Sequence, residues 1–169
     1  KTANNALINY KYDAFKGASH YSSVLYSIPN ALCQIFDYYK PISMTEFSEK
    51  IAILPNGQVK YLTDKYDAIS KTLGLKVSVR ISDFKAIEAA ILKNKSYTEL
   101  ENLSEIARKN YPRSMLADYE LGLMYEKNGD TKKAAKAYQK ASQFEEIGDL
   151  SKDMMLEKFD EMQSLTPKK

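Results

Sequence analysis

The chain has 169 residues, with 25 Lys plus Arg against 22 Asp plus Glu and a net charge of +3, which is the size of one ordinary domain and too little positive charge to mark a nucleic-acid binder. Apolar residues make up 44% while Gly and Pro number only 6 and 5, a balance that argues against a disordered, collagen-like or turn-rich all-β chain. One Cys and one His exclude an internal disulfide, a cysteine-based zinc cluster and most histidine metal sites, and no apolar run approaches the roughly 18 residues that a membrane span needs.

Residues 8–15 alternate. Ile8, Tyr10, Tyr12 and Ala14 point one way, and Asn9, Lys11, Asp13 and Phe15 the other. Period two with aromatic and β-branched residues predicts a strand. A lone strand cannot satisfy its own backbone, so self-association is expected, most simply a homodimer through residues 8–15. Gly17-Ala18-Ser19-His20 is a break. Val24, Ile28, Leu32, Ile35, Phe36 and Tyr39 then recur at helical spacing. Pro29 lies inside that pattern, so the helix is either kinked or begins near it, and Pro41 ends it. Residues 41–57 form a connector with a short helix expected at Thr45–Ile51, closed by the turn chemistry of Pro55-Asn56-Gly57.

From Gln58 the chain reads as a series of amphipathic helices. Val59, Leu62, Tyr66, Ile69 and Leu73 step by three and four, and Gly74 is a stop. Residues 75–81 are an extended linker. Ser82 is the expected N-cap of a helix to about Asn94. Further helices are predicted over Tyr97–Asn110 and Ser114–Asn128. Asp130 should cap another, to about Phe144. Gly148 breaks the chain before a last helix at 150–164, with Met155, Phe159 and Met162 on one face. The predicted fold class is therefore mainly α.

Within residues 115–146, small and large residues fall at fixed places. Gly122 and Ala141 are small where two helices must approach, Tyr125 and Tyr138 fill the space between them, and Gly129-Asp130 makes the turn. About 34 residues earlier a looser copy appears. Ile87 stands for Leu121, Ile91 for Tyr125, Leu100 for Ala134 and Ala107 for Ala141, with Pro112 at the end. Glu88 occupies the place of Gly122, and Ser104 that of Tyr138. This pattern resembles the tetratricopeptide repeat over about residues 82–165. The resemblance implies an α–α superhelix of two helix pairs with a C-terminal capping helix. It also implies a groove for a protein or peptide partner, lined in the second repeat by Tyr119, Leu123, Glu126 and Lys127. Gly122 is expected at a close helix crossing.

The stretch Tyr10–Tyr39 has a strand, a loop with His20 and Ser22, and a helix carrying Gln34-Ile35-Phe36. It resembles the last segment of an α/β-hydrolase. More narrowly, it is similar to the end of a bacterial serine-esterase family that includes siderophore-ester and S-formylglutathione hydrolases, whose members often continue into a linker and tetratricopeptide repeats. The resemblance implies that His20 is the general base of a Ser–His–acid triad. Chain order in that fold is Ser, acid, His, so nucleophile and acid would both precede this segment. Gly17-Ala18-Ser19-His20-Tyr21 begins like a nucleophile elbow but has Tyr21 where the second Gly belongs. Asp13 is too near His20 in the strand to be the expected acid.

The chain starts at Lys1 without Met and is expected to be a piece of a longer protein. The expected organisation is an esterase tail at 1–40, a linker with one amphipathic helix at 41–81, and repeats with a cap at 82–169. This chain alone is expected not to be an enzyme, while its parent would be a carboxylic-ester hydrolase. The repeats would bind a protein or peptide, or pack on their own upstream hydrolase domain. No cofactor, metal, nucleic acid or membrane is implied, and cytoplasmic and exported locations both stay open. The alternative is an independent adaptor whose N-terminal strand and helix cap the repeats.

Three surface features are read as structural. Lys132, Lys133, Lys136 and Lys140 form a solvated face balanced by Glu145 and Glu146. Glu99, Glu101 and Glu105 are a helix surface rather than a metal site. Met154, Met155 and Met162 pack the cap.

Overall fold

Ser19 opens the first helix by a reciprocal pair of hydrogen bonds. Its hydroxyl accepts from the Ser22 N–H at 3.2 Å, and its own N–H donates to the Ser22 hydroxyl at 2.7 Å. This capping box starts α1 at His20, and the helix runs to Ile35 with Pro29 inside it. A short 3₁₀ turn follows at Asp37–Tyr39. The computed structural model describes residues 12–165. Residues 12–15 carry no strand, and residues 8–11 of the predicted strand lie outside the described residues. The chain divides into two compact units, residues 1–40 and 41–169. In the first, no residue of α1 is buried.

The second unit begins with α2, Met44–Glu46, which passes into a π turn at Phe47–Ile51. Together they cover the short helix expected there. Gly57, at φ 90°, turns the chain into α3, Gln58–Leu73. That helix has no cap from its own flank. Instead the carboxylate of Glu99, 40 and 42 residues on, accepts from the Val59 N–H at 2.8 Å and from the Gly57 N–H, so a distant acid satisfies the orphan donors and complements the helix dipole. The linker after Gly74, residues 75–80, carries no helix or strand. It is held where the Val79 N–H donates to Asn110 at 3.1 Å and the Tyr111 hydroxyl donates to the Val79 carbonyl at 2.7 Å.

Helix α4 spans Ile81–Asn94 and its N-cap is Arg80, not Ser82. The N–H groups of Asp83 and Phe84 both bond to the Arg80 carbonyl, at 3.0 and 3.1 Å, which places Ser82 inside the first turn. The anchor is tertiary. Buried Asp83 accepts from the Tyr66 hydroxyl at 2.9 Å and the Ile42 N–H at 3.0 Å, while Tyr66 accepts from the Arg80 N–H at 2.9 Å. Burial, with the Asp83 carboxylate alongside, raises the Tyr66 hydroxyl pKa, so it stays a donor.

Helices α5 (Glu99–Asn110), α6 (Leu116–Lys127), α7 (Thr131–Ala141) and α8 (Lys152–Ser164) follow. Asp130 caps α7 through the Lys133 N–H at 3.1 Å, and Ser151 caps α8 through the Met154 N–H at 3.2 Å. α7 stops three residues short of the expected Phe144 because the chain there turns into a different pairing. The Glu145 N–H donates to the Arg113 carbonyl at 2.9 Å and its carbonyl accepts from the Met115 N–H at 3.0 Å. α6 packs against α5 and α7, and α7 against α8. Being flanked this way, α6 buries residues all round, with Leu116, Ala117, Gly122, Leu123 and Met124 inside. The positions read as a looser copy also belong to the core. Ile87, Ile91, Leu100 and Ala107 are fully buried, as are Ala134, Tyr138 and Ala141.

Candidate functional site

His20 is the first residue of α1 and is exposed, with its ring edge-on to Tyr21 at a centroid distance of 5.7 Å. Ser22, beside it, is occupied with the helix cap. Among the described residues no acid forms an ion pair with His20, so residues 12–165 do not assemble a triad.

The four residues read as groove lining fall in different surroundings. Leu123 is buried in the core. Glu126 is the hub of a network between α6, α7 and α8. It accepts from Lys127 at 2.8 Å, from the Tyr138 hydroxyl at 2.6 Å and from Lys158 at 3.1 Å. Burial pushes its carboxyl up, but the bonds from Lys127, Tyr138 and Lys158 outweigh that and hold its pKa at about 2. Glu126 thus ties α6 to α7 and α8, while Lys127 is exposed and bonds Glu126 of its own helix. Tyr119 lines a cavity. The basic stripe is divided in the same way. Lys140 reaches buried Asp118 at 2.9 Å, opposite Arg108 at 3.1 Å, and Lys133 pairs with Asp130 at 3.0 Å, while Lys132 and Lys136 are exposed.

That cavity lies between α4, α6 and the segment joining α7 to α8, and has a volume of about 250 Å³. The turn at Gly148, at φ 64°, closes the joining segment over it, with Ile147 and Leu150 bonded to each other across the turn at 3.0 Å. Its walls are Ile81, Phe84, Leu116, Leu150 and Met154. Glu88 of α4 and Glu120 of α6 are among its lining residues. The Tyr119 hydroxyl donates to Glu88 at 3.3 Å. Glu120 is fully buried, and neither of its oxygens has a hydrogen-bond partner. Burial, reinforced by the charge of Glu88, raises the Glu120 pKa well above the usual carboxylate range. Burial also raises Glu88, as does Asp149, against Tyr119, Lys85 and Lys158, which lower it. Lys85 and Asp149 form an exposed ion pair at the rim, 2.6 Å apart.

Sequence reasoning finds Tyr119 but not the two acids. Glu88 is visible only as an oddity, a carboxylate where the repeat wants a small residue. Glu120 looks like an ordinary helix-surface acid, and its burial follows from α6 being packed on all sides. Among the described residues no group of three or more His, Cys, Asp or Glu is placed to hold a metal ion, and no helix is long and apolar enough to cross a membrane.

No family model and no curated protein matches this chain. Among solved structures, an uncharacterised protein from Capnocytophaga ochracea DSM 7271 is similar, with a TM-score of 0.78 and 34% sequence identity. The likeness covers 95% of this chain and 45% of that one. The chain thus spans less than half the length of the solved protein it resembles.

Proposed function

We propose that this chain is the non-catalytic C-terminal region of a serine esterase, whose helices from α4 onward form a tetratricopeptide-like module for protein interaction or for packing on the upstream domain. The observation that carries the reading is α1. Val24, Ile28, Leu32, Ile35 and Phe36 form an apolar stripe and are each about half exposed, while Leu25 is 74% exposed. A helix of this composition is made to be covered, and nothing in residues 12–40 buries it. In the esterase reading the rest of a hydrolase domain does so, with His20 brought to the missing serine and acid. The repeat reading is supported by Gly122 lying against the Tyr138 ring, by burial of the equivalent pairs Leu100 and Ala134, and Ala107 and Ala141, and by α8 packed on α7 as a terminal cap would be.

The independent adaptor is the second reading. The separate compact unit formed by residues 41–169 favours it. Hydrogen exchange distinguishes the two. In a longer polypeptide carrying the upstream segment, α1 amides should exchange far more slowly than in residues 1–169 alone. Equal protection in both would leave the adaptor reading in place of the esterase tail.

A further inference from the structure

Among the described residues, the two oxygens of Glu120 are the only buried side-chain oxygen or nitrogen atoms without a hydrogen-bond partner. Glu120 itself is fully buried in the middle of α6. A carboxylate there would lose its hydration and gain no donor in return, so the stable form in this place is the neutral acid. The cations of the surrounding helices are committed to other acids. Lys85 of α4 is on Asp149, Arg108 of α5 and Lys140 of α7 are both on Asp118, and Lys158 of α8 is on Glu126. The charge that does act on Glu120 is that of another acid, Glu88 of α4. Tyr119, next to Glu120 in α6, has its hydroxyl on Glu88.

The oxygens of Glu120 are closed off even from the cavity whose wall it helps to form, so hydrating them requires part of that wall to move. The part held most lightly is the segment Ile147–Leu150. It is anchored on one side where Glu145 bonds to Arg113 and Met115, and on the other where Ser151 caps α8. Between those anchors its backbone bonds run from Ile147 to Leu150 and back, at 3.3 and 3.0 Å. The segment's ion pair to α4, Lys85 with Asp149, is exposed, and exposed pairs contribute little. The segment can therefore lift as a local opening without unfolding the helices on either side.

We propose that Glu120 is a proton-operated latch, which as a neutral acid lets the Ile147–Leu150 segment close on α4 and α6, and on losing its proton drives that segment open and uncovers Phe84, Leu116 and Met154. Folding raises the Glu120 pKa well above the ordinary 4.5. The closed form is therefore fully favoured below about pH 4.5 and loses that advantage as pH rises through the raised value. Burial raises Glu88 too, but Glu88 is only half-buried and holds the Tyr119 hydroxyl. It ionises first, and its charge then keeps the proton on Glu120. This window lies above that of Glu126, whose pKa is lowered to about 2, so the two titrations are separable. The latch belongs to residues 41–169 and does not depend on the esterase reading.

The test is NMR on the full chain from about pH 5 to about pH 9. Carbon-13 shifts follow the glutamate carboxyls, and amide exchange, corrected for its intrinsic pH dependence, follows the Ile147–Leu150 segment. One glutamate carboxyl should still be protonated at about pH 7, and its signal should be missing in Glu120→Gln. As that carboxyl ionises, protection of the segment should fall by up to about tenfold per pH unit. In Glu120→Gln and in the apolar Glu120→Met, protection should stay level over the same range. Glu88→Gln should shift the titration of the Glu120 carboxyl to lower pH, which a purely structural residue would not do. Wild-type protein with every glutamate ionised at about pH 7 overturns the latch and needs no variant to fold. A carboxyl that stays protonated up to about pH 9, or one that ionises with no change in protection of the segment, overturns it as well. So does the same fall in protection in wild type and in either Glu120 variant.

Discussion

Gly122 and Tyr138 are where a single residue decides how close two helices come. A Cβ added at Gly122 would stand 2.5 Å from Cε1 and 2.6 Å from Cδ1 of Tyr138. The ring cannot swing away, because it is fully buried and its hydroxyl is tied to Glu126. Leucine at this position gains helix propensity of roughly 1 kcal/mol over glycine, yet it must force α6 and α7 apart. Gly122→Leu should therefore cost on the order of 1–3 kcal/mol, read as a fall of several degrees in Tm. An unchanged Tm would remove the close crossing. Glu126 yields a pH signature. Its pKa, about 2 against the ordinary 4.5, is lowered on folding, so its contribution is complete above about pH 4.5 and is lost as pH falls toward 2. At about 1.4 kcal/mol per unit the loss is on the order of 3 kcal/mol. Wild-type Tm should fall through that window more steeply than that of Glu126→Gln.

Elements differ in how far their own residues determine them. The helices from Gln58 onward were legible because apolar residues step by three and four and because Gly74, Gly129 and Gly148, all at positive φ, stop or turn the chain. Asp130 could be read as a cap since its partner is three residues away. Other features were hidden because they depend on residues distant in the chain. Ser82 has the chemistry of a cap, but with Asp83 bonded to Tyr66 and Ile42 the N-cap of α4 is Arg80, two residues earlier. Glu99, a surface acid by its sequence context, is the cap of α3. Glu99→Ala should leave the Gly57 and Val59 donors without it and cost about 1–2 kcal/mol, with faster hydrogen exchange in the first turn of α3. Exchange unchanged there would mean that water serves as well. The candidate cavity was hidden for the same reason, since the burial of Glu120 arises only once α4 and the Gly148 turn close over α6.

At the scale of the whole molecule, residues 1–40 and 41–169 pose different questions. The second unit has its own core from Ile51 to Met162. The first has a capped helix with an apolar face and no core in residues 12–40, and the proposed reading has the rest of a domain cover it. The protein from Capnocytophaga ochracea, of which this chain matches 45%, has room for such a domain outside the matched part. On the proposed reading that domain would be a hydrolase, because the imidazole of His20 would act as a triad base only when a serine and an acid are brought to it. Hydrolysis of p-nitrophenyl acetate measures this most directly, using residues 1–169 and a longer polypeptide that includes the upstream segment, each with and without His20→Ala. The account predicts no turnover by residues 1–169 beyond that of free imidazole, and turnover by the longer polypeptide that falls by about 10²–10⁴-fold in His20→Ala. Turnover by residues 1–169 that disappears in His20→Ala, or activity of the longer polypeptide that is indifferent to His20, would contradict it.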